Sequence, residues 1–383
     1  MGKSNISSSF NRREFLRIVA ALTSISVVSS FLEACSRMGL IDYESATPVP
    51  TDTEAPVASP TAEESPTVEV ATATSEGDLS DEDKAQLAFV KTTDRVGGVG
   101  LAIDLLGVNP VDGKSVFIKP NLNTSDPAPA ATDSDMLRAL VVKLWDMGAT
   151  KITVGDRAGM GVTREVMERL GIFAMSEELG FETMVFDELE ASDWEMFKVP
   201  GGRWHRGFPF ARPCLEHDAI VQMCCLKTHG YDGHFTMSLK NSVGFVAKTI
   251  PGDSYDYMAA LHRSAYLRQM VAEVNTVYTP ALIVMDGVES FVNGGPDSGK
   301  RVNSEIVLAG TDRIAMDAVG VAVLRHFGTT RNVSEGPIFE LDQISRAVQL
   351  ELGIDGPEKI NLLTGDDDSA AYAEEILEQL AAL

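Results

Sequence analysis

From about Gln86 to the C-terminus, short apolar runs rich in β-branched residues alternate with stretches of helical period, and this alternation limits the possible folds most. Strand-like runs lie at 115–118, 151–154, 183–186, 219–224, 281–285, 305–309 and 359–363. Helical stretches lie at 95–106, 134–147, 164–170, 258–277, 313–326, 338–350 and 369–382. A helix between two strands carries the chain back across the sheet, so the next strand runs parallel and the helices cover the faces. The expected fold is α/β, a mostly parallel sheet with helices on both faces in three layers. The stretch 187–217, with Gly201, Gly202 and Trp204, breaks the rhythm and reads as an insertion.

Upstream, the chain reads differently. Arg12-Arg13, one spacer and Phe15-Leu16 precede an apolar run from Ile18 to Leu32, and Leu32-Glu33-Ala34-Cys35 closes it. This order resembles a twin-arginine export signal ending in a lipobox, in which Cys35 is lipidated and becomes the new N-terminus. The run is short for a bilayer span. The plainer reading is an uncleaved N-terminal helix with Cys35 incidental. Residues 41–80 hold nine acidic residues and no Lys or Arg, with five prolines among Thr, Ala, Ser and Glu. Such a segment has too little apolar surface to fold and reads as a tether, averaging roughly 35 Å or more end to end. The expected organisation is a signal over 1–35, a disordered acidic tether over 36–85 and an α/β domain over 86–383. The expected location is outside the cell membrane of a bacterium, held to it through the lipid anchor.

Charge and cysteines narrow the partners. A formal net charge of −24 over 383 residues argues against nucleic acid. Four cysteines, Cys35, Cys214, Cys224 and Cys225, form no Cys-x-x-Cys pair, so no iron–sulfur cluster or zinc ribbon is expected.

Ligands of open α/β sheets bind beyond the carboxyl ends of the strands. The residues trailing each strand therefore matter most. They are Lys119-Pro120-Asn121-Leu122-Asn123, Gly155-Asp156-Arg157-Ala158-Gly159, Lys227-Thr228-His229-Gly230, Asp286-Gly287-Val288-Glu289 and Gly310-Thr311-Asp312. Asp, Asn and Gly at such places are ordinary turn residues. Lysine and histidine are not demanded by turns, so Lys119, Lys227 and His229 carry more weight. A parallel sheet would set all five segments along one edge.

The same segments carry a family resemblance. Phe117 to Leu122, Lys227-Thr228-His229, Ser238-Leu239-Lys240-Asn241-Ser242-Val243-Gly244, Asp286-Gly287, and Thr311-Asp312 through Asp317-Ala318 resemble the ordered motifs of domain of unknown function 362 (DUF362). The resemblance runs from about residue 90 to about 330. Some members of that family carry an added ferredoxin segment, and this chain lacks its cysteines. The resemblance implies no settled reaction.

Residue chemistry must therefore supply one. Lys119, Lys227 and Lys240, with Asn121 and Asn241, suggest a pocket for a small anion, carboxylate or phosphate. The alternative is that each lysine pairs with a neighbouring carboxylate. His229 and His234, near Asp232, have donor types that bind a divalent metal, although surface histidines read as well. Asp156 and Asp286 are candidates for a general base with His229 or for a metal ligand beside the histidines, with a helix cap as the plainer reading, for Asp156 in particular. Cys224 and Cys225 read as small buried side chains, with a thiol nucleophile near His229 or a disulfide to Cys214 as alternatives. Gly294 to Lys300 imitates a phosphate-binding loop but is followed by Arg301 and a strand, and reads instead as a Gly/Pro loop. The leading expectation is an extracytoplasmic enzyme acting on a small anionic molecule, with a divalent metal as a candidate cofactor. A tethered solute-binding protein and, less well supported, a redox partner are the alternatives.

Overall fold

A computed structural model describes residues 84–230 and 234–382. Cys35, the signal segment and all of the tether but its last two residues lie outside them. In chain order the strands are β1 (Ala85–Lys91), β2 (Ser115–Lys119), β3 (Lys151–Asp156), β4 (Glu182–Val185), β5 (Trp194–Phe197), β6 (Phe208–Ala211), β7 (Ala219–Thr228), β8 (Phe235–Thr236), β9 (Leu282–Gly294), β10 (Gly299–Gly310) and β11 (Ile360–Leu363). The helices are α1 (Arg95–Leu106), α2 (Ser134–Asp146), α3 (Thr163–Arg169), α4 (Ile172–Leu179), α5 (Ser238–Asn241), α6 (Tyr257–His262), α7 (Leu267–Val274), α8 (Arg313–His326), α9 (Arg331–Ser334), α10 (Asp342–Gln349) and α11 (Asp367–Ala381).

Nine strands form one mostly parallel sheet in the order β11-β1-β10-β9-β7-β2-β3-β4, with β8 paired to β7. Period-2 alternation divides the core into two layers. Phe89, Phe117, Cys224, Met285 and Leu308 join the apolar cluster under α8, α10 and α11. Val90, Ile118, Met223, Val284 and Val307 join the cluster under α1 to α4. The three-layer α/β expectation matches this architecture.

Several details differ from the sequence reading. β1 was not anticipated. It pairs with β10 antiparallel and with β11 parallel. β9 and β10 form a long antiparallel hairpin. The Gly/Pro loop is its turn, where Gly294 and Gly295 take left-handed φ values of 84° and 80°. Because β10 runs backwards, Gly310-Thr311-Asp312 falls at the edge opposite the other strand ends. The insertion contains a small hairpin, β5 with β6. The helix expected over 258–277 is two, α6 and α7. Between them the Ser264 hydroxyl accepts the Tyr266 N–H at 3.0 Å, a side-chain turn that competes with the helical ladder. Among the described residues no helix is long and apolar enough to cross a membrane.

Candidate functional site

The carboxyl ends of β2, β3 and β7 open into a cavity of about 720 Å³, closed from the side by α5 and α6. Lys119, Asn121, Asp156, Lys227, His229, Lys240 and Asn241 all line it. The structure thus brings together most of the residues picked from the strand ends. Five cationic side chains line the cavity, Lys119, Arg157, Lys227, Lys240 and Lys248, against three carboxylates, Asp156, Asp187 and Asp256. In a chain of net charge −24, this local excess of positive charge is the reverse of the average.

Lys119 and Asp156 form a buried ion pair at 2.6 Å. Asp156 also accepts the backbone N–H groups of Leu122 at 2.8 Å and Arg157 at 2.7 Å, which ties the loop after β2 to the loop after β3. Gly244 packs against the pair so closely that an added Cβ would lie 2.4 Å from Asp156 Oδ1 and 2.6 Å from Lys119 Nζ. Lys227 is fully buried, yet all three of its hydrogen bonds go to neutral oxygens: Asn121 Oδ1 at 2.9 Å, Ala130 O at 2.5 Å and Pro296 O at 3.2 Å. Arg157 is buried as well, with Nε on Val246 O at 2.9 Å and Nη1 on Ala158 O at 3.1 Å. Burial pulls the proton affinity of Lys119, Arg157 and Lys227 below ordinary values.

Lys240 differs from these. It is half-buried and makes no hydrogen bond or ion pair among the described residues. Burial, and then the charges of Arg268, Lys227 and Arg157, push its ammonium down to about 7. Its position is set from behind. Asp317 of α8 accepts the Ser238 N–H at 2.7 Å and the Leu239 N–H at 3.2 Å, satisfying the first turn of α5. Burial raises the Asp317 carboxyl to about 7. On the next residue, Asn241 donates to Lys119 O at 3.1 Å.

His229 ends the β7 edge. Burial, reinforced by Lys240 and Arg268, drives its proton affinity far below the usual range, so the imidazole is neutral. His262 at the end of α6 also lines the cavity. Its Nδ1 faces Met258 O at 2.7 Å, an acceptor only, so the ring proton sits on Nδ1 and Nε2 keeps its lone pair.

Two residues singled out in the sequence stand apart from the lining. β9 does not end at Met285 but continues to Gly294, so Asp286 is mid-strand, opposite Cys225. It shares a face with Leu282 and Val284, and its carboxylate pairs with Arg95 Nε at 2.9 Å on the α1 side. Asp286 is therefore corrected from a catalytic candidate to a structural ion pair. His234 is not among the lining residues; its carbonyl accepts the His229 N–H at 3.4 Å. Among the described residues no group of three His, Cys, Asp or Glu side chains is placed to hold a metal. His229 is surrounded by positive charge, to which a dication would add; Asp232, the carboxylate of that sequence reading, lies outside the described residues. Cys214, Cys224 and Cys225 are buried free thiols. Burial pushes the Cys225 thiol up to about 12, which removes it as a thiolate nucleophile.

Sequence reasoning gave no role to Arg157, Asn123, Thr236 or His262. Asn123 and Arg157 stood in the strand-end segments already quoted. Thr236 and His262 carried no signal, because β8 and the break after α6 were not foreseen. Asn123 Nδ2 and Thr236 Oγ1 are buried side-chain atoms without a hydrogen-bond partner among the described residues. Both residues line the cavity.

A family model described as domain of unknown function (DUF362) matches residues 116–322, more than half of the chain. The chain belongs to that family. No curated protein and no solved structure matches it. The matched stretch of this DUF362 chain runs from β2 into α8 and so includes every residue of the cationic cavity.

Proposed function

We propose that this DUF362 chain is an enzyme acting on a small anionic molecule, a carboxylate or a phosphate, in the cavity beyond β2, β3 and β7. One observation carries the reading. Lys227 is a buried cation whose hydrogen bonds reach only neutral acceptors. A buried charge without a counter-charge is costly, and an anion in the adjoining cavity offsets that cost. Catalysis rather than storage is favoured by Lys240 and His262, an amine pushed down to about 7 and a neutral imidazole with an open nitrogen. Both suit proton movement near neutral pH.

Titration calorimetry with inorganic phosphate and with citrate tests the reading. Binding is expected, and Lys227→Met is expected to weaken it roughly tenfold through loss of a nearby positive charge. Absence of binding by every small carboxylate and phosphate tried would refute it.

The location belongs to the same proposal. The order Arg12-Arg13, apolar run, Cys35 supports export and a lipid anchor on the outer face of the membrane, with the acidic tether as spacer. Metabolic labelling with a fatty-acid analogue is expected to mark the wild type and not Cys35→Ser. Equal labelling, or none in either, would remove the anchor.

A further inference from the structure

We propose that the Lys240 amine is the reacting group of this cavity and forms an imine with the carbonyl carbon of a small 2-oxo acid. The proposal rests on the cavity being an anion site and goes further by naming the substrate class and the bond that forms.

The three lysines of the site are in different states. Lys119 is held by Asp156 at 2.6 Å. Lys227 gives all three N–H groups to oxygens. Neither has a lone pair to offer. Lys240 alone of the three has no partner among the described residues, and it lines the cavity. Its backbone is fixed by Asp317 at the start of α5 and by Asn241 on Lys119 O, so the amine stands on a positioned base. Its charged neighbours are all cationic, which favours the free amine; the ammonium is pushed down to about 7. Desolvation beside other cations is a known way to activate a lysine nucleophile.

A second observation points to a ligand of matching chemistry. Thr236 Oγ1 and Asn123 Nδ2 are buried in the same cavity without partners among the described residues. Buried polar atoms are seldom left unpaired. Both can donate to a carboxylate or carbonyl oxygen. The surrounding cations supply the field that holds the carboxylate.

In the step, the Lys240 lone pair adds to the carbonyl carbon, and the C=O π pair moves to oxygen as the C–N bond forms. One proton passes from nitrogen to that oxygen, giving a carbinolamine. His262, which lines the same cavity and keeps its Nε2 lone pair, relays it. A second proton, from solvent, lets the C–O bond break and water leave. Amine, ketone and one proton become a protonated imine and water, with no oxidant or reductant needed.

The test is reductive trapping. The full chain is incubated near pH 7 with pyruvate or 2-oxoglutarate and sodium cyanoborohydride, then analysed by intact mass and peptide mapping. A single adduct on Lys240 is expected, slowed by excess inorganic phosphate. It is expected to be lost in Lys240→Met, whose thermal unfolding should stay cooperative, and kept in Lys151→Ala on the surface. If calorimetry registers binding of either acid but no adduct forms, or the adduct maps elsewhere, the imine proposal falls and the anion reading stands. If neither acid binds or reacts while phosphate binds, the imine proposal falls again. If phosphate also fails to bind, both fall.

Discussion

Replacing Gly244 with alanine sets a methyl group against the buried Lys119–Asp156 pair. The new Cβ would stand 2.4 Å from Asp156 Oδ1 and 2.6 Å from both Cε and Nζ of Lys119, closer than real Cβ contacts come. The neighbours have little room to yield. Lys119 and Asp156 side chains are 1 % and 3 % exposed, and Asp156 is also held by Leu122 and Arg157 N–H groups. Overpacking alone costs about 1–3 kcal/mol. Separating a buried ion pair costs about 3–5 kcal/mol, because each charge is then left uncompensated. The two are alternative outcomes of one clash, so the larger sets the expectation: a loss of about 3–5 kcal/mol in urea unfolding, with anion affinity reduced as the loops after β2 and β3 separate. Gly100→Ala is the matched control. It lies mid-helix in α1 with nothing within 4 Å of an added Cβ, and a gain of about 0.5–1 kcal/mol is expected from lost backbone freedom in the unfolded chain. A Gly244→Ala protein less than about 1 kcal/mol weaker than wild type, still binding phosphate normally, would refute the claim that this ion pair braces the cavity.

Three further outcomes are expected. Lys240 has a folded value of about 7 against 10.5 for an ordinary lysine; its charged form is disfavoured in the fold, so stability is reduced below about pH 7 and recovers as pH rises toward 10.5. Lys240→Met should flatten that rise in thermal midpoint, and in the wild type anion affinity should fall above pH 7 as the amine loses its proton; an affinity independent of pH from 6 to 9 would contradict this. Asp317, raised by burial from 3.8 to about 7, works in the opposite sense: the neutral carboxyl is favoured in the fold, so its contribution is present below pH 3.8 and is lost as pH rises through 7. Asp317→Asn should abolish that slope, whereas Asp317→Ala should cost about 1–3 kcal/mol through the unpaired Ser238 and Leu239 N–H groups, read by urea unfolding. Asp286→Asn should lower stability through Arg95 yet leave phosphate affinity unchanged; a lost affinity in calorimetry would return Asp286 to the site.

How much was legible in the sequence follows from which forces are local. Continuous apolar runs such as 219–224 and the strand-end lysines are written in neighbouring residues, and a parallel sheet converts them into one rim without further information. Asp286 failed because a strand's end cannot be read where apolar and polar residues simply continue through a hairpin: Val288, Phe291 and Val292 still pack in the core. The reversed β10 was hidden for a related reason, since its partner β1 is distant in sequence and pairing leaves no local mark. Thr236 entered the cavity through a two-residue strand set by tertiary pairing, and His262 through a helix break at a short side-chain turn that the apolar period does not reveal. The difference between Lys227 and Lys240, one saturated with acceptors and the other bare, is a property of three-dimensional neighbours that no spacing encodes.

The pairing of β1 with β10 also bears on how this family is handled at the bench. The family match starts at residue 116 and stops at 322, so a fragment trimmed to it would lack β1, β11 and α11. Leu87 to Lys91 would no longer cover Gly310 to Ile306, and β10 would become a bare border with open N–H and C=O groups flanked by Val307 and Leu308. Such borders recruit strands from other molecules. Insoluble protein from the trimmed fragment would therefore report a missing seam, not an unstable cavity, and the domain should be expressed with both terminal strands attached.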